Sequence, residues 1–377
     1  MDNQNTYTDS DGTRYGPGNG RCSYGAAPLL TPDALCPDIG DTKAFGRASN
    51  RVHISLFLYL FLVNLIVLVC SVVLLVIYTL TENPVIALIM SSPIYNLGIS
   101  AAAQYAIGYP LLRMLLCTLE KPKSFARERM GAGEFFLLLL ICESFMLIGS
   151  TIGSWISQLI GNLFHVEPNN ALDSVIGETP VWLIVISVVV LAPIFEELIY
   201  RKLFIDRMQG LGDAYAILFS ALAFALMHMN TYQLFYAFGV GLIFGYVYTR
   251  THNVLYTIGM HMILNFLGSV ATLPIAKASE KLLEMEQIVA NGGEVADEAA
   301  YLMNSVIVYL YSAFQMMLMI GGLIALVVYV AMKKVKLNSV TVDRGAALRS
   351  GMLNAGFILF AAFSLIMMIL NLVLMGA

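Results

Sequence analysis

From Ile54 to Leu80 the chain carries no charged residue, and no other feature narrows its fold so far. A helix of that length, rising ~1.5 Å per residue, exceeds the ~30 Å hydrocarbon layer of a bilayer. Comparable apolar runs recur all the way to the C-terminus. Within lipid every backbone N–H and C=O needs an internal partner, which leaves only helices and closed barrels. Barrel strands would read as short alternating segments, and no such pattern is seen. The fold class is therefore all-α, a polytopic transmembrane helical bundle. Composition agrees: of 377 residues, 58% are hydrophobic and 12% charged, against about a quarter charged in soluble domains.

Apolar spans are read near 54–80, 85–118, 135–160, 181–208, 214–230, 232–250, 254–275, 302–332 and 351–376, the second interrupted by Pro93 and Pro110. The count is nine, with eight as the fallback. Lys and Arg accumulate on the cytoplasmic side of membrane proteins. Here they fall in alternate connections: Lys43, Arg47 and Arg51; Lys121, Lys123, Arg127 and Arg129; Lys202 and Arg207; Arg250; then Lys333, Lys334, Lys336, Arg344 and Arg349. The connections between them are short or acidic, with Glu82, then Glu167, Asp173 and Glu178, then an acidic series from Glu280 to Glu298. This predicts a multi-pass integral membrane protein with a cytoplasmic N-terminus, in the plasma membrane if the cell is bacterial.

Residues 1–46 are rich in Gly, Pro, Asp, Asn, Ser and Thr and read as a flexible polar tail. Residues 47–180 then hold the N-terminal membrane helices, 181–270 a core, and 271–377 an acidic outer loop with the C-terminal helices. The tail does not have the basic start and short apolar core of a cleavable signal peptide. A net charge of −4 sets nucleic acid aside as a partner. The five cysteines form no Cys-x-x-Cys pair, so neither a disulfide framework nor a zinc ribbon is read.

A charge at the centre of a membrane helix costs roughly 2.5–3.5 kcal/mol by the lower scales, so each one needs a reason. Three groups stand out: Glu196 and Glu197 followed by Tyr200 and Arg201, directly after an apolar stretch containing Pro193; Phe224 with His228; and His261 with Asn265. Residues four apart share a helix face, which puts Glu197 over Arg201, Glu196 over Tyr200 and His261 over Asn265. Adjacent residues point about 100° apart, so Arg201 can hold Glu197 while Glu196 stays free for general-base work. Counted from the cytoplasmic helix ends, Glu196 lies ~18 Å deep, His228 ~22 Å, His261 ~12 Å and Asn265 ~18 Å. They could line one cavity near mid-membrane, open to the cytoplasm if the helix ends there are splayed. Glu143 and its neighbour Ser144 read as a structural hydrogen-bonding pair, and His53, His165 and His252 as interfacial or loop residues.

Together the motifs Glu196-Glu197-x-x-x-Arg201, Phe224-x-x-x-His228 and His261-x-x-x-Asn265 resemble those of the CPBP family, the CAAX prenyl endopeptidase and bacteriocin-processing (Abi) intramembrane proteases. The resemblance covers about residues 181–270. It implies that Glu196 and His228 activate a water for attack on a peptide carbonyl, that His261 and Asn265 stabilise the oxyanion, and that Arg201 orients Glu197. Tyr200 and Phe224 then support the site. The expected activity is an intramembrane endopeptidase acting on a membrane-associated, lipidated or peptide substrate, with membrane lipids and that protein or peptide as partners. No cofactor is favoured, because Asn is a poor zinc ligand and the His-Glu-x-x-His helix is absent. If zinc is present, Glu196, His228 and His261 would hold it. Two other classes stay open on the residues alone: a proton-coupled carrier, which also places Glu, His and Arg at mid-membrane but for which no internal repeat is found, and a catalytically silent immunity or scaffold protein.

Overall fold

The computed structural model describes residues 7–8, 14–15, 41–119, 128–170, 177, 179–294, 297–332, 334–337 and 343–376. Apart from a two-residue pairing of Tyr7–Thr8 with Arg14–Tyr15, these residues are helical or in connections. The helices are α1 (Thr42–Thr81), α2 (Pro84–Ser91), α3 (Pro93–Leu116), α4 (Ala132–Phe164), α5 (Val181–Leu211), α6 (Asp213–Met227), α7 (Thr231–Thr251), α8 (Val254–Gly268), α9 (Leu273–Ala290), α10 (Glu298–Ala331), α11 (Arg344–Met352) and α12 (Ala355–Gly376). Most of the tail expected over 1–46, with Cys22 and Cys36, lies outside the described residues, as do Lys121, Lys123 and Arg127.

All nine apolar segments are helical, and the protein is a multi-pass helical membrane bundle. Not every segment is long enough to cross a bilayer alone. Six helical segments are long and apolar enough among the described residues, with α8 and α9 together counting as one over Val254–Ala290, and a seventh counts if α2 and α3, bent by 61°, form one span. The shortfall has a physical cause in α6, whose 15 residues reach only about 22 Å at 1.5 Å per residue. The bend falls at Pro93, which has no backbone N–H to continue the α2 ladder.

Close packing of α4 on α7 organises the centre. Gly149, Gly153, Ser157 and Gly161 recur every four residues on α4, and all are buried. A methyl group on Gly153 would stand 2.8 Å from Thr231 O, so only glycine lets the two backbones come this near. Ser157 then hydrogen-bonds to Thr231 at the start of α7. At the other end, Arg250 on α7 joins three helices, pairing with Glu134 of α4 at 2.6 Å and donating to Tyr329 of α10 at 3.1 Å. On α4, Ser144 donates to Met319 O of α10 at 2.8 Å, in line with a structural reading of that position. His53 is fully buried on α1 and ringed by Phe204, Phe357 and Phe360.

Helix α5 is not regular. It widens into π-helical turns over Val185–Leu191 and again over Leu198–Ile205, on either side of the glutamate pair. Such turns concentrate at functional sites because they rotate the side chains that follow.

Candidate active site

Glu197 and Arg201 form the buried base of the site. Arg201 Nε lies 3.0 Å from Glu197 Oε2, and both side chains are 0% exposed. Arg201 also donates to Ser220 Oγ on α6 at 3.0 Å, and Ser220 donates in turn to Tyr200 O at 2.7 Å. The guanidinium lies 4.8 Å from the centre of the Phe224 ring and 5.7 Å from that of Phe244, so cation–π attraction adds to the ion pair where water is excluded. A buried charge without such partners would cost several kcal/mol. Arg201 thus ties α5 to α6 and α7 while holding Glu197 in place.

His261 on α8 stands between the two acids. Its Nδ1 is 3.2 Å from Glu197 Oε1, and its Nε2 is 3.7 Å from Glu196 Oε2. A carboxylate only accepts, so Nδ1 carries the proton in this pairing and Nε2 turns to Glu196. The 3.7 Å gap is longer than a direct hydrogen bond and short enough for both groups to act on one water. Glu196 is 15% exposed, against none for Glu197. The two neighbouring acids therefore occupy different environments, one locked and one reachable.

The remaining motif residues sit around this trio. Phe224 packs edge-on against His228, His261 and Tyr200. His228 lies in the turn that ends α6, and its Nδ1 donates to Phe224 O at 2.8 Å, leaving Nε2 as an acceptor. Met229 follows with φ of 48°, a left-handed conformation that is uncommon outside glycine, and the chain reverses there into α7. Among the described residues no contact joins His228 to Glu196. His261 is the histidine that stands within 4 Å of both acids. Asn265, one turn beyond His261, donates to Val188 O at 2.9 Å. Ala192 N–H bonds to Ser187 O five residues back. The next carbonyl in that register, Val188 O, would need the N–H that Pro193 lacks, and the Asn265 amide supplies the missing donor.

Among the described residues no three His, Cys, Asp or Glu side chains are placed to share a metal ion. The cavity that His228 lines also contains Asn169, Asn230 and Gln233, which lie at the end of the bundle where α4 gives way to α5 and α6 to α7. Lys202, Arg207 and Arg250 lie towards the other end.

Residues 178–267 match the family described as "Type II CAAX prenyl endopeptidase Rce1-like". A curated protein of Bacillus subtilis (strain 168), named "Putative membrane peptidase YdiL", is 27% identical over 128 residues, which is 33% of this chain and 52% of that protein. The matched stretch is the one whose motifs resemble those of the CPBP family. The chain spans about half the length of the curated relative it matches. No solved structure matches.

A residue outside the three motifs also shapes the site. Ser220 receives the Arg201 donor. It lies four residues before Phe224, on the same helix face. Extending that motif backwards by one turn would have found it.

Proposed function

We propose that this protein is an intramembrane endopeptidase of the glutamate type, in which Glu196 acts as general base on the attacking water. The observation that carries this reading is His261 held between two carboxylates, one locked by Arg201 and one reachable. The arrangement follows the logic of a catalytic triad, in which a buried acid fixes the tautomer and direction of an imidazole. Glu197 does this for His261, and Nε2 exchanges a proton with the Glu196–water pair. His228 Nε2, an acceptor on the cavity wall, orients the water. The second N–H of Asn265 is the donor for the oxyanion. Attack forms the water–carbonyl bond, Glu196 takes the proton, and the same proton passes to the departing amine as the C–N bond breaks.

No resident metal is assigned to this reaction. The N-terminal end and the Lys- and Arg-rich connections are placed in the cytoplasm, and the plasma membrane is the site of action in a bacterial cell.

The test is cleavage by purified protein in detergent, read with internally quenched peptides. Glu196→Gln is expected to abolish cutting while thermal unfolding stays within a few degrees of the parent. Full activity in Glu196→Gln would remove Glu196 from its role.

A further inference from the structure

A cavity of about 330 Å³ lies beside the site, between α3, α12 and the turn from α6 to α7. His228 is the one motif residue on its wall, and Ser100, Gln104, Asn169, Gln233 and Asn371 contribute polar groups to it. Among the described residues no Asp, Glu, Lys or Arg lines it. Neutral amides and hydroxyls gathered on one wall can hydrogen-bond a polar occupant.

Several of these groups have hydrogen-bonding capacity to spare. Gln233 donates through Nε2 to Tyr236 and Asn371 through Nδ2 to Met229 O, which commits one donor on each and leaves their carbonyl oxygens as acceptors. Ser100 and Gln104, one helical turn apart on α3, make no side-chain hydrogen bond among the described residues. The wall thus presents both donors and acceptors, set beside apolar surface from Leu97, Val188, Met368 and Leu372. A peptide main chain offers alternating N–H and C=O groups and matches such a wall. A charged side chain entering it would lose its hydration with no counter-ion to meet it. An isoprenoid chain would strand the same amides without partners.

Resting on the protease reading above, we infer that this cavity binds an uncharged, unprenylated peptide segment through its main chain, and that the juxtaposition of Ser100, Gln104, Gln233 and Asn371 beside His228 sets a rule against charge near the cleaved bond.

The test measures equilibrium binding to the full-length Glu196→Gln protein in detergent by fluorescence anisotropy. The probe is a labelled, end-blocked hexapeptide of Ala, Gln and Leu. Its twins carry Lys or Glu at the third position, or a farnesylated cysteine at the last. The neutral peptide is expected to bind at least tenfold more tightly than the Lys and Glu twins, with no gain from farnesylation. Adding Gln104→Glu should narrow the gap for the Lys twin at least tenfold and widen it for the Glu twin. Failure of the neutral peptide to bind, equal binding of all twins, tighter binding of the farnesylated twin, or a Lys-to-Glu ratio unmoved by Gln104→Glu would each overturn the inference. If binding follows the charge rule and the parent protein still leaves the neutral peptide uncut, the binding site stands and the protease reading fails.

Discussion

Removal of the Arg201 guanidinium probes the base of the site most directly. In Arg201→Met, Glu197 keeps its place at 0% exposure and loses the cation at 3.0 Å, and the Phe224 and Phe244 rings lose the guanidinium that lay over them. Breaking one side of a buried pair costs about 3–5 kcal/mol, since the other charge is left uncompensated. At about 1.4 kcal/mol per tenfold, this shifts the folding equilibrium by two to three and a half orders of magnitude. Ser220 also loses its donor, which adds to the same direction. Replacing both partners, as in Glu197→Gln with Arg201→Met, removes the stranded charge and should recover most of the loss. The assay is thermal unfolding of all three variants in one detergent, analysed as a double-mutant cycle, alongside peptide cleavage. Activity has a separate expectation: the double variant regains stability and stays inactive, because His261 no longer has the carboxylate that fixes its Nδ1. A cycle with no coupling between the two positions, or a double variant as active as the parent, would refute the account.

Other variants follow from the same geometry. His261→Gln should lower kcat by at least a hundredfold with little change in unfolding temperature, read by cleavage and thermal scans; retained kcat would take His261 out of the reaction. Asn265→Ala should cost about 1–3 kcal/mol by leaving Val188 O without a donor, and that cost should shrink in a Pro193→Ala background, where a backbone N–H becomes available. Identical costs in both backgrounds would show that the carbonyl freed by Pro193 is not what Asn265 serves. Gly153→Val should lower stability sharply by forcing α4 away from α7, measured by unfolding in detergent. For the metal question, exhaustive chelation followed by elemental analysis is expected to leave cleavage unchanged, and loss of activity restored by added zinc would contradict the glutamate-type reading.

Much of the architecture could be read before any coordinates. Apolar runs long enough for a bilayer dictate helices, because lipid offers a backbone no other way to satisfy its polar groups, and the rarity of charge made Glu196, Glu197, Arg201, His228 and His261 conspicuous. Four-residue spacing correctly put Glu197 over Arg201, since that contact lies within one helix. Counting residues from helix ends also brought three helices to comparable depth, yet depth is one coordinate of three. It could not say which histidine turns toward which acid.

That choice depends on how α5, α6 and α8 rotate against one another, and the rotation is set by features whose consequence lies in other helices: π-helical turns on both sides of the glutamates, the glycine stripe that draws α7 onto α4, and the carbonyl that Pro193 frees for Asn265. For the same reason α6 is too short to cross a bilayer by itself, and His228 ends in a turn beside a neutral cavity. Sequence by itself determined that this chain lives in a membrane as helices and which polar residues had to justify being there. Only the tertiary structure decided that His261 bridges the two acids and that the cavity lies at the end away from Arg250, because side-chain direction across separate helices is a property of packing.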